Sequence, residues 1–391
     1  MILQRVGARR WIARILITWG IFAIAMAFTQ STFQVGAVRF LLGAAEAGFF
    51  PGIVLYLTFW FPTRQQASAF AVFMSAQVIS LIFGAPLSGL ILDHIHWLNH
   101  DSWRWLFVIE GIPAILFGIV TFFYLPDRPK NASFLDEEEQ RWLQSTVDRE
   151  REEKERKTKI SKWQALTNPR VLYFSFIYLC IVLGIYGVTF YLPAIVKSLK
   201  GDFSHTAVGF ISAIPFVVGG IAMLAFGRNS DRTLERRLHV AAATACSTVG
   251  LVLLANTKSS VLSVVALSIT AIGAYGYIAP FWALPALFLT EASAAVGIAV
   301  INSIGNLGGF LGPYSVQVVN GDPDNPGASP QSLYLLAASF AVATVALLLL
   351  KVEREKRLDT AAAGDASPDG RPALDGQVPE ARSPAGRHVE R

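Results

Sequence analysis

Arg39 and Glu46 lie seven residues apart in the stretch RFLLGAAEAGFFPG, inside an apolar run from Val35 to Phe61. A helix turns once in 3.6 residues, so this spacing puts the guanidinium and the carboxyl on one face. Hydrocarbon does not accept that face, which must meet other helices or a water-filled cavity. Burial disfavours the charged carboxyl and Arg39 favours it. These opposed effects poise Glu46 to bind a proton on one side of a membrane and release it on the other. The plainer alternative is a polar pair that locks helices together. Charge at membrane depth weighs toward transport. Gly43, Gly48 and Pro51 are expected on the same helix, the glycines allowing close approach.

The whole chain supports a membrane setting. Of 391 residues, 53% are hydrophobic and only 16% charged, against about 25% charged in an ordinary soluble protein. Mean hydropathy is +0.46. The net charge of +5 follows loops and forms no patch, which argues against nucleic acid as a partner. Cys180 and Cys246 sit in apolar blocks and read as packing residues, not a disulfide. No cleavable signal peptide is visible after Met1.

Ten apolar segments approach the roughly 20 residues a bilayer requires. They are Ile12–Thr29, Val35–Phe61, Ala67–Leu92, Trp105–Leu125, Val171–Val196, Ala207–Phe226, Val240–Ala255, Val261–Leu289, Ala294–Val319 and Leu333–Leu350. If the loops alternate sides, 28 of the 33 Lys and Arg fall on one side. The positive-inside rule makes that side cytoplasmic and puts both termini there. The expectation is therefore an all-α, multi-pass protein of the plasma (inner) membrane that works as a monomer. It divides into a partial N-terminal bundle (1–125), a cytoplasmic linker (126–170), a six-helix bundle (171–351) and a disordered tail (352–391). Ser133, followed by Asp136, resembles the N-cap of a charged linker helix. Four spans precede the linker and six follow it, so two spans are expected to be missing upstream of Met1, from an original twelve.

GRNSDRTLERR, Gly227 to Arg237, lies between two spans. Gly227, Asp231, Arg232, Arg236 and Arg237 fit the G-x-x-x-D-[RK]-x-x-x-[RK]-[RK] loop of the major facilitator superfamily. A short turn would place Asp231 at a helix end among basic side chains. RVGARR, Arg5 to Arg10, looks like the tail of the same motif one half-protein earlier. Tyr186, Tyr191 and Asn306 occupy membrane positions that suit either a substrate cavity or interhelical hydrogen bonds. His94, His96 and His100 lie in an outer loop without a supporting ligand framework, so no metal site is expected. No P-loop, nucleotide-binding glycine motif or Ser-His-Asp arrangement stands out. That argues against ATP-driven transport, a bound cofactor and an enzyme.

RFLLGAAEAGFFPGIVLYLTFWFP, EGIPAILFGIVTFFYLPDRP, WQALTNPRVL and NSIGNLGGFLGP together resemble the anion:cation symporter family of that superfamily. The likeness runs from Arg5 to about Lys351. Tartrate and phthalate permeases, galactonate transporters, sialin and vesicular glutamate transporters belong to it. The resemblance implies a two-bundle fold and proton-coupled symport of a small organic anion. It implies roles for Arg39 and Glu46 in proton coupling, with Arg39 also contacting substrate. Gln77 matches a substrate-contacting glutamine, and Trp282 and Asn302 match a cavity-lining pair twenty residues apart. The family's first helix carries a basic residue that binds the anion, and nothing here supplies it. Two other functions stay open: an exporter or antiporter of the same fold, and a non-transporting remnant or sensor.

Overall fold

Backbone amides in lipid must pair within the segment, so apolar runs of this length close into helices. The computed structural model describes residues 6–97, 100–157, 168–199, 203–233, 235–285, 291–321 and 328–350, and within them there are helices and no strands. Arg5, the loop near Thr290 and the expected tail lie outside the described residues. The first group of helices is α1 (Ala8–Met26), α2 (Thr32–Glu46), α3 (Phe49–Trp60), α4 (Thr63–His94) and α5 (Ser102–Tyr124). A polar helix, α6 (Glu137–Lys157), follows. The second group is α7 (Pro169–Lys197), α8 (His205–Thr233), α9 (Arg236–Asn256), α10 (Ser260–Gly276), α11 (Ile278–Ala283), α12 (Glu291–Gly305), α13 (Gly308–Asn320) and α14 (Pro330–Leu349).

Seven segments among the described residues are long and apolar enough to cross a membrane, with α10 and α11 counted as one. The other three expected spans differ for visible reasons. The first contains Arg9, Arg10 and Arg14 within α1. The second and ninth are each split in two. The run through Glu46 is therefore not one helix: α2 ends at Glu46, and Gly48 and Pro51 belong to the next element. Pro51 has no N–H for the carbonyl of Ala47, four residues back, and the helix breaks there. The Gly48 carbonyl instead receives the indole N–H of Trp11 at 3.4 Å as well as the Gly52 amide at 3.1 Å. Pro280 stands in the same relation to Gly276, where α10 ends. The break at Asn306–Leu307 precedes two glycines, each about 1 kcal/mol poorer than alanine in a helix.

Two further expectations are corrected. The motif from Gly227 does not form a turn at its start, because α8 continues through Asp231 to Thr233. The cap of α6 is Asp136, not Ser133. The Asp136 carboxylate accepts from the amides of Glu138 (2.9 Å) and Glu139 (2.8 Å), and Glu139 accepts from the Asp136 amide at 3.2 Å, closing a capping box. Asp at the cap with Glu three residues on satisfies two orphan donors, which Ser133 cannot do from its position.

Small residues set the packing. α1 lies along α5 through Gly20, Gly111 and Gly118; a Cβ on Gly118 would stand 2.7 Å from Ile17. α12 and α13 close onto α7 through Gly305, Gly308 and Gly312; a Cβ on Gly308 would stand 2.6 Å from the Leu183 nitrogen. Such seams bring backbones close enough for dispersion to hold helices together in lipid. The main core belongs to the second group, around Ile177, Ile181, Leu251, Leu267, Phe281 and Phe340. A small separate cluster of Ala8, Ile12 and Phe59 sits between α1 and α3. α4 of the first group packs along α8 of the second, and α6 touches both α3 and α12.

Candidate functional site

Glu46 is the last residue of α2, and its side chain is exposed. Across from it on α7 stands Tyr186, close enough for the Glu46 charge to act on the phenol. Tyr186 is 45% exposed, so its edge faces open space. Behind it lies a block of rings from α7 and the broken α10–α11 segment. Tyr178 stacks on Phe281 at 5.2 Å between centroids and 20° between planes. It also meets Trp282 edge-on at 5.0 Å and Tyr277 at 6.5 Å. Tyr275 and Thr189 line one small cavity beside this block. Tyr178, Tyr275 and Tyr277 are buried, Trp282 is half-buried. The break after Gly276 turns Tyr277, Phe281 and Trp282 toward α7; a continuous helix would spread them differently around its axis.

Glu46 lies within electrostatic reach of Tyr186, and Trp282 meets Tyr178 on the same helix, α7. Arg39 shares a face of α2 with Glu46 and is exposed, but among the described residues the two form no ion pair. Gln77 is exposed on α4, and only its backbone carbonyl is engaged, by the Ser80 hydroxyl at 2.8 Å. Tyr191 is half-buried against Phe190 at 5.8 Å. Asn302 is half-buried on α12; Asn306 is exposed at the break, its amide donating to the Asn302 carbonyl at 3.0 Å. The loop-motif residues lie elsewhere, at the end that carries the basic segments. Asp231 and Arg232 are exposed, and Gly227 sits against Ala279. Arg237 donates to the carbonyls of Leu350 (2.5 Å) and Leu348 (3.5 Å), neutralising the C-terminal end of α14. His96 is hydrogen-bonded to Ser102 at 2.8 Å and His94 to the Leu90 carbonyl at 3.1 Å.

Sequence reasoning missed Tyr178, Tyr275, Tyr277 and Phe281. The signal was available in AYGYIAPFW, where polar-tipped rings crowd an apolar run ahead of a proline. It also passed over Glu110, which accepts from the Ser88 hydroxyl at 2.6 Å within the span Ser102–Tyr124. A cavity of about 20 Å³, roughly one water molecule, lies beside Tyr275, between Thr189, Pro215, Thr270 and Phe340. It is too small for a metabolite, so the open side of Tyr186 and Trp282 is the better surface for a ligand. Rings that stack, hydroxyls that donate and one carboxyl opposite can hold and release a small polar molecule.

Comparison with known proteins identifies the family. The Major Facilitator Superfamily profile matches residues 1–313. A protein of Agrobacterium vitis named "Putative tartrate transporter" is 42% identical over 350 residues, covering 90% of this chain and 79% of that one. A quinolone resistance transporter of Acinetobacter baumannii is 37% identical over 358 residues, covering 91% and 82%. The crystal structure of a bacterial homologue of the human lysosomal transporter Spinster, inward-facing and unoccupied, superposes with a TM-score of 0.68 at 16% identity, covering 88% and 82%. Sequence and fold agree: the chain belongs to the Major Facilitator Superfamily, a family of membrane transporters and not of enzymes.

Proposed function

We propose that this secondary transporter couples proton entry to uptake of a small organic anion, a hydroxy dicarboxylate such as tartrate or a related acid. The observation that carries the reading is Glu46, a carboxyl that ends an apolar helix of the first group within electrostatic reach of Tyr186 of the second. Protonation of Glu46 changes the charge between the two groups at the point where they face each other. The anion then sits against Tyr186, Trp282, Asn302 and Asn306, with Arg39 and Gln77 reaching it from the first group. Tyr191 lines the same path. Alternating access follows from rocking of residues 1–125 against 171–351 around this region, with 126–170 as the linker. The loop motif of Gly227, Asp231, Arg232, Arg236 and Arg237 stabilises one state at the basic end.

In this reading the chain crosses the plasma (inner) membrane ten times, each broken helix counting once, as a monomer with both termini cytoplasmic. The basic loops support that orientation. A cysteine at Ser145, exposed on α6, should resist an impermeant thiol reagent in intact cells. Labelling equal to that of a cysteine at Ser259 overturns the orientation. For the function itself, the full chain in vesicles should accumulate labelled tartrate when the outside is acid, and not without a pH gradient. Equal uptake in both conditions sinks the coupling.

A second reading is export, favoured by 37% identity to the quinolone resistance transporter. Drug extrusion from loaded vesicles, with no tartrate uptake, would select it.

A further inference from the structure

At the end opposite the basic loops, the two helical groups are joined by one carboxylate. We propose that Asp93, in the last turn of α4, is a gating residue of the transport cycle: its carboxylate latches the outer ends of the two halves together by capping the first turn of α8, and it lets go each time the cavity opens outward.

The geometry is specific. Asp93 accepts the backbone N–H of His205 at 3.0 Å through one oxygen and that of Thr206 at 2.6 Å through the other. These amides belong to the first turn of a helix and have no partner within it. A negative group there also meets the positive end of the helix dipole. The Thr206 hydroxyl donates back to the Gly89 carbonyl at 3.4 Å, one turn before Asp93. Ser204 serves α8 itself by accepting from the Ala207 amide at 3.2 Å. The carboxylate is therefore an added cap, supplied from 112 residues away and from the other half of the molecule.

Backbone contact surrounds the latch. A Cβ on Gly89 would overlap the His205 carbonyl, and one on Gly209 would overlap the Ala85 carbonyl and come within 3.0 Å of Pro86. The two helices thus touch main chain to main chain over the last two turns of α4. A contact this close between the halves cannot survive opening of that end, so it must form and break with the cycle. Its location makes breaking inexpensive: Asp93 is half-exposed and His205 exposed, so water can take over both partners. A purely structural bond would be expected within one half, where nothing has to separate.

The inference rests on the alternating-access reading above, but not on the substrate or on protons, and the test uses neither. Spin labels on cysteines at His100 and Lys197, both exposed and one on each half, report the separation of the outer ends. The full chain, with Cys180 and Cys246 replaced by alanine, is placed in lipid nanodiscs and measured by double electron–electron resonance. Asp93→Ala should raise the population with separated ends by roughly fivefold over the parent. Asp93→Asn, which keeps one acceptor, should fall between. Asp101→Ala, which removes a nearby acid that caps nothing through its side chain, should match the parent. If Asp93→Ala does not fold, an oxidised Asp93→Cys/His205→Cys pair tests the same point. It should leave only the short distance, with the long one returning on reduction. A parent-like distribution in Asp93→Ala, or both distances in the cross-linked protein, overturns the proposal.

Discussion

The two helical groups differ in what they put inside the membrane. From Val171 to Leu350 the apolar interiors of α7 to α14 hold no Asp, Glu, Lys or Arg, whereas α2 holds Arg39 and Glu46 and α5 holds Glu110. Burial runs the other way. In the second group 44–56% of each spanning window is buried, against 17% in α4 and 11% in α5. Apolar, glycine-seamed helices pack into one core; charged, partly open helices leave faces uncovered. The second half therefore holds the aromatic block around Tyr178, and the first holds the charged groups of the apolar runs.

The strongest way to break this comparison is to crowd one glycine in each half. Gly308→Val should push α13 off Leu179 and Leu183 and cost about 2–3 kcal/mol, read as a lower melting temperature in detergent. Gly36→Val, where nothing lies within 4 Å, should melt with the parent. Equal losses would mean that the α2 face around Gly36 is packed as tightly as the α7–α13 seam. A smaller effect is expected from Tyr178→Phe, which removes a buried hydroxyl from the ring block beside Tyr277, at about 1 kcal/mol. Trp282→Ala sharpens the division of tasks. It should raise the apparent KM for the transported anion by about tenfold, with the dependence on a pH gradient intact. The smallest effect belongs to the linker: Asp136→Ala removes a cap and should lower the helicity of α6, at about 1 kcal/mol, without changing transport.

The helices themselves could be read from the sequence because apolar blocks of this length leave one backbone solution in lipid. The breaks at Ala47–Gly48, Tyr277 and Asn306–Leu307 could not be read from hydropathy, which does not register a missing N–H. Pro51 and Pro280 stood three residues beyond Gly48 and Tyr277, just past two of those breaks, and carried the information. Arg39 and Glu46 were conspicuous as charges in an apolar run. The rings around Tyr178 were not, since their meeting depends on how α7 packs on α11. The cap of α6 was misplaced by three residues because Ser133 and Asp136 are both good caps, and only Glu139 decides between them. The Asp93 latch is a contact between distant halves, with no local pattern to announce it.

The most direct test of the account is Glu46→Gln in the full chain, reconstituted in vesicles beside the parent and assayed with labelled tartrate in two modes. Glutamine keeps the size of the side chain and cannot cycle a proton. The account predicts that accumulation driven by an acid exterior is lost, while exchange between labelled tartrate outside and unlabelled tartrate inside continues at a rate near that of the parent. Unchanged pH-driven accumulation in the variant would contradict it and leave Glu46 as a structural group beside Tyr186.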